Sequence, residues 1–136
     1  VHTIEFGLSV ESLVAEFLQG QGLRLVHKNY ACRLGEIDLV LQDESDGTIV
    51  FVEVRYRSNW HHGGATASVD WKKQRKLRRV VLHYLQKHGN TNTVARLDVI
   101  GVSAIKPPDS TSGFGVLLHQ YSNHYLIWTI NAIEAS

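Results

Sequence analysis

Near the start of the chain, apolar residues recur at helical spacing. Val10, Leu13, Val14, Phe17 and Leu18 fall at i, i+3, i+4, i+7 and i+8, the stripe of an amphipathic helix. Ser9 predicts its N-cap, and Gly20 or Gly22 its end. Leu23–His27 then predicts a short strand. Glu36–Leu41 and Ile49–Arg55 predict two more, joined as a hairpin by the polar turn Asp43–Gly47 with its Asp-Gly pair. Tyr56–Ala67 holds Arg57, Trp60, His61, His62, Gly63 and Gly64 and predicts a loop. From Val69 to His88 the helical period returns. Leu77, Val80, Val81, Tyr84 and Leu85 form one stripe, stopped by Gly89 and Asn90. Arg96–Val102 predicts a strand, Lys106–Gly115 with its two prolines a long loop, and Val116–His119 and Tyr125–Ile130 two closing strands. This order predicts an α/β fold: a mixed central sheet flanked by helices.

Two acids interrupt apolar strands. Asp38 sits within Ile37, Leu39, Val40 and Leu41, and Glu53 within Val50, Phe51, Val52 and Val54. Such runs suit strands covered on both faces, where a carboxylate is costly unless paired or bound to a cation. If Leu41 and Thr48 bracket the turn, Asp38 faces Phe51. A slip of two residues places it opposite Glu53. In either register the two carboxylates lie about 5–8 Å apart if they share a face. Two such charges at ~5 Å repel by roughly 3 kcal/mol at an effective dielectric near 20. A divalent cation turns that penalty into a ligand set, and oxygen-only ligation favours Mg2+ or Mn2+ over zinc. Strand alternation puts Glu53 and Arg55 on one face and Val54 on the other. A buried salt bridge is the competing reading of these residues.

Two helices bring further candidates. Glu11 lies on the flank of the first helix's stripe, where it reads from pattern alone as a partly exposed border residue and, as the sharper alternative, as a helper acid reaching toward the hairpin. Lys73 belongs to the inward side of the long helix, at its N-terminal end, where it reads either as a snorkelling lysine aimed toward the acids or as a lysine covering the core edge. Lys72, Arg75, Lys76 and Arg79 occupy a separate, outward arc.

Charge sharpens this picture. The net charge of the 136 residues is +1, yet Trp71–His88 holds seven cations (Lys72, Lys73, Arg75, Lys76, Arg78, Arg79, Lys87) and no acid. Glu36–Glu53 holds six acids and no base. A basic element beside an acidic one suits a polyanion held near a cation site, and a pair of solvated faces is the plainer reading. The length predicts one domain. A single cysteine, Cys32, excludes an intramolecular disulfide framework and a multi-thiolate zinc site. No apolar run approaches the ~20 residues that span a bilayer. No basic-then-apolar start marks a secretory signal, so a cytoplasmic domain is expected. The chain has no methionine, so residues are expected to precede Val1.

The motifs together resemble the YraN-like family of bacterial proteins. They are Gly35-Glu36-Ile37-Asp38-Leu39-Val40, Phe51-Val52-Glu53-Val54-Arg55-Tyr56-Arg57, Lys73-Gln74-Arg75-Lys76-Leu77 and Arg96-Leu97-Asp98-Val99. Gly7 with Glu11, Asn29-Tyr30 and Asn131-Ala132-Ile133 also fit. The resemblance implies a restriction-endonuclease-like fold, similar to Holliday-junction resolvases, with the metal-site pattern of the PD-(D/E)xK nucleases. It implies metal binding by Asp38 and Glu53, a helix acid at Glu11, and a phosphate-facing cation at Arg55. It implies phosphodiester hydrolysis by a metal-activated water, and the leading expectation is a nuclease acting on DNA, branched or damaged DNA included, with Lys72, Arg75, Lys76, Arg79 and Arg57 contacting the backbone. Resolvases of that superfamily often act as homodimers. The family usually has lysine where Arg55 stands. Arginine holds a phosphate but cannot act as a base, which makes Lys73 the candidate substitute. Val10 replaces a glycine common before the glutamate. A non-catalytic nucleic-acid-binding module and a protein-interaction domain with an internal salt-bridge network are the rival readings.

Among the remaining residues, His61 and His62 read as a surface loop. Trp60 and Trp71 read as stacking or packing side chains. Arg96 with Asp98 reads as an internal ion pair, and Cys32 as a packing residue.

Overall fold

The computed structural model describes residues 9–58, 60, 69–89, 93–108 and 115–133. Gly7, His61, His62, Gly63, Gly64 and Asn90 lie outside the described residues. Helix α1 (Val10–Gly20) starts where the Ser9 hydroxyl accepts the Ser12 N–H at 3.1 Å. Its apolar stripe is buried, as the spacing predicts. Strands β1 (Leu23–Cys32), β2 (Gly35–Asp43) and β3 (Ile49–Tyr56) follow, then α2 (Trp71–His88), β4 (Ala95–Ser103), β5 (Val116–Tyr121) and β6 (His124–Ile133).

The strands form one six-stranded sheet in the order β1-β2-β3-β4-β6-β5. Among the described residues only β3 and β4 run parallel; the other neighbours are antiparallel. Parallel neighbours need a crossover, and α2 lies within it. Each helix covers one face. Val10, Leu13, Val14, Phe17 and Leu18 of α1 pack with Leu39, Val50, Val52, Val54, Ile100 and Val102. Leu77, Val80, Val81 and Tyr84 of α2 pack on the other face with Ile37, Val40, Phe51, Leu97 and Val99. Gly35 lets α2 approach closely: it has φ +141°, and a Cβ there would stand 3.3 Å from Val80 Cγ2. Among the described residues no helix is long and apolar enough to cross a membrane.

The sequence shortens β1, which runs to Cys32 rather than ending at His27. Its pairing to β2 shifts between Leu25 and His27, and Asn29 has φ +55°. These irregularities, on an edge strand with exposed residues, erase the alternation that marks a strand. The pleat of β2 also changes phase. Ile37 and Val40 share the α2-side core, although residues three apart on a regular strand point to opposite faces.

Candidate active site

The hairpin adopts the slipped register. Leu39 pairs with Val52, Val40 with Phe51, Leu41 with Val50 and Gln42 with Ile49. One step further, Asp38 stands opposite Glu53, but the ladder stops first. At that point Asp38 Oδ2 accepts the Val54 N–H at 2.7 Å, so a side chain serves where the ladder ends. The Asp38 and Glu53 carboxyl groups are within hydrogen-bonding reach of each other.

Glu53 is only 2% exposed. Arg55 Nη1 lies 2.8 Å from its Oε2, and Lys73 Nζ lies 3.5 Å from the same oxygen. The first contact follows from the pleat, since Val54 between them turns into the α1-side core. The second follows from how α2 begins. Asp70 caps the helix by accepting the Lys73 N–H at 2.9 Å, and the Gln74 amide donates to the Val69 carbonyl at 2.9 Å. This turn aims Lys73 along the sheet toward Glu53.

Burial pushes the Asp38 carboxyl up to about 7, and the facing Glu53 charge and hydrogen bond add to the rise. The Val54 N–H and Arg55 act against it. A group so placed exchanges its proton near neutrality or gives it up to a cation. The donor set is two carboxylates, hard oxygens that match magnesium or manganese, so the residues fit such an ion. Among the described residues no third His, Cys, Asp or Glu completes a larger metal-holding group. Glu11 is half-buried on α1, whose core lies on the face of the sheet opposite α2, and among the described residues it completes no metal-holding group with the pair.

Lys72, Arg75, Lys76 and Arg79 are exposed on the outer side of α2 and line a groove with Trp71. Arg57, half-buried just past β3, donates its backbone N–H to the Val102 carbonyl at 2.8 Å. Trp60 is a packing residue: it is buried and its indole donates to the Ile105 carbonyl at 2.5 Å. Cys32 is a free, half-buried thiol.

Arg96 and Asp98 form the expected internal pair, with Nε 3.2 Å from each carboxylate oxygen. Sequence reasoning missed two further partners. Trp128 Nε1 donates to Asp98 Oδ2 at 2.9 Å, and the Asn131 N–H donates to Oδ1 at 2.7 Å. An indole inside an apolar strand was the available signal, because a buried indole N–H seeks an acceptor. Burial raises the Asp98 carboxyl above the usual range, against the pull of these donors.

Sheet and site together define a mixed α/β protein with an acidic centre at the fork between two strands, flanked by cations. The chain belongs to the uncharacterised protein family UPF0102, whose profile matches residues 10–102. That bears out the resemblance read from the motifs. A UPF0102 protein of Methylococcus capsulatus is 54% identical over 97 residues, 71% of this chain and 76% of that one. One of Nitrosococcus oceani is 43% identical over 105 residues, 76% of this chain and 83% of that one. One of Neisseria gonorrhoeae is 42% identical over 103 residues, 76% of this chain and 88% of that one. Among solved structures, one described as "Structure of EndoMS-dsDNA2 complex" matches with a TM-score of 0.38 and 20% identity, over 71% of this chain and 38% of that one.

Proposed function

We propose that the protein is a metal-dependent nuclease hydrolysing phosphodiester bonds of DNA, branched or damaged DNA included. The observation that carries this reading is the convergence of Asp38 and Glu53 at the β2–β3 fork, with Arg55 and Lys73 both on Glu53 Oε2. Asp38 and Glu53 would hold a magnesium or manganese ion. When bound, such an ion supplies an activated water and stabilises charge on the phosphate. Arg55 binds a phosphate oxygen with a planar, two-pronged donor. Lys73 brings a compact amine to the same place, where it orients the phosphate or the attacking water. The exposed cations of α2 hold neighbouring backbone. On this reading the protein would meet its DNA in the cytoplasm.

One observation favours a second reading. Arg55 already neutralises Glu53 at 2.8 Å, which suits a nucleic-acid-binding module that keeps the nuclease fold without cleavage. A cleavage panel separates the two. Linear, nicked, flapped and four-way DNA are incubated with magnesium or manganese and the wild type, Asp38→Asn or Glu53→Gln protein. Metal-dependent cleavage lost in both variants supports the nuclease. DNA binding that persists in chelator, with no cut under any condition, leaves the binding module.

A further inference from the structure

Glu53 and Lys73 meet on the inner side of α2, and a different group collects on its outer side. Trp71 stands at the first helical position with 63% of its surface exposed. Lys72, Arg75, Lys76 and Arg79 are exposed too, and with Trp71 they line a shallow groove of about 270 Å³. At ~100° per residue these five occupy one arc, centred nearly opposite Lys73, Leu77, Val80 and Tyr84. The helix has no acid to neutralise them. Trp71 adds to neither core, whereas Trp60 and Trp128 are 8% and 6% exposed.

We propose that the outer face of α2 binds single-stranded nucleic acid, an unpaired base stacking on Trp71 while Lys72, Arg75, Lys76 and Arg79 hold the flanking phosphates. A single strand is the occupant that uses both features, because it offers free base faces and a regular row of negative charge. A duplex would satisfy the cations but keeps its base faces within its own stack and leaves the indole idle. An acidic peptide would meet the charge and give the ring no flat partner. From Trp71 to Arg79 the arc runs ~12 Å along the axis, room for roughly three or four stacked nucleotides. A helix is ~10–12 Å across, so a strand on this face lies about one helix diameter from Glu53. It is therefore a neighbour of the cleaved phosphate rather than the cleaved segment. Only that last step rests on the nuclease reading.

The test is binding in chelator, which silences the acidic centre. An oligothymidylate of about 12 nucleotides and a duplex of the same length are titrated into the wild type, Trp71→Ala and Trp71→Phe proteins, read by tryptophan fluorescence and anisotropy. The expected result is quenching of wild-type fluorescence by the single strand. Trp71→Ala should lose about tenfold or more in single-strand affinity with little change for duplex, and Trp71→Phe should keep most of it. The single-strand affinity should fall with salt at a log–log slope near −2.8 if all four cations contact phosphate. Equal loss for both substrates, unchanged fluorescence, or equal competition by polyglutamate would overturn the proposal. Single-strand binding of this kind by a protein that cuts no DNA with magnesium would sink the nuclease reading alone. Cleavage without it would sink this one alone.

Discussion

The Asp38 carboxyl takes the Val54 N–H at 2.7 Å where the β2–β3 ladder stops, so one side chain both closes the sheet and faces Glu53. The two duties separate by substitution. Asp38→Asn keeps an oxygen for the Val54 N–H and removes the charge. It should fold, should gain thermal stability near neutral pH without metal, and should lose cleavage. Asp38→Ala removes the acceptor as well and should be less stable than Asp38→Asn by about 1–3 kcal/mol. Denaturant melts of the two variants give that difference. An Asp38→Ala protein as stable as Asp38→Asn would mean that the hydrogen bond contributes nothing.

The same carboxyl sets a pH dependence. Its folded-state value of about 7 lies above the ordinary 3.8, so the folded protein binds the proton more tightly than the unfolded chain. The stability this contributes is fully present below about pH 4 and is lost as pH rises through about 7, up to ~4 kcal/mol. Asp98, also raised, changes stability with the same sign, so the Asp38 part is the difference between wild type and Asp38→Asn. Melting temperatures in chelator from about pH 4 to about 8 should show the wild type falling more steeply. On the proposed reading magnesium binds the deprotonated form, so its stabilisation should grow with pH and vanish in Asp38→Asn. Parallel curves for the two proteins would refute this.

Much of this was legible in the chain because the signals were local. The α1 stripe with Ser9 before it, the α2 stripe, and Asp38 and Glu53 inside apolar runs all depend on residues within a few positions of each other. The 3.6-residue period also placed Lys73 inward, and its amine lies 3.5 Å from Glu53. The hairpin register was open because two turn lengths fit the same polar segment. The contacts of the β2 phase change with Val54, and of Asp98 with Trp128 and Asn131, join residues far apart in sequence. The flank position of Glu11 suggested reach toward the hairpin. Which face of the sheet a helix covers is a tertiary fact that helical periodicity does not contain.

Arg55 and Lys73 share one oxygen of Glu53, and their substitutions should behave differently. Arg55→Ala removes the closer partner of a buried carboxylate and should cost roughly 1–3 kcal/mol of stability. Arg55→Lys keeps the positive charge beside Glu53 and should retain cleavage. Lys73 is more exposed, so Lys73→Met should hold stability while cleavage falls by about 100-fold or more. Single-turnover cleavage beside thermal melts gives both axes. Cleavage that survives Lys73→Met but not Arg55→Lys would assign the essential cation to Arg55.

Asp98 repeats the Asp38 device with a different outcome. The β4–β6 pairing shifts register between Leu97 and Val99, and there the Asp98 carboxylate takes the Asn131 N–H, as Asp38 takes that of Val54. Asp98 also receives the Trp128 indole and the Arg96 guanidinium, so its oxygens are occupied by protein donors. Asp38 instead faces a second acid. Full satisfaction marks the structural carboxylate, and mutual repulsion marks the one suited to an ion. Asp98→Ala leaves the Trp128 and Asn131 donors without their acceptor and Arg96 without its counter-charge, and should cost on the order of 3 kcal/mol or more. Asp98→Asn should recover part of that loss, since its amide oxygen still accepts one donor. Neither change should alter magnesium affinity at temperatures where the variant is folded, measured by calorimetric titration. A loss of magnesium binding in folded Asp98→Asn would extend the proposed metal site across the sheet and overturn the division between the two acids.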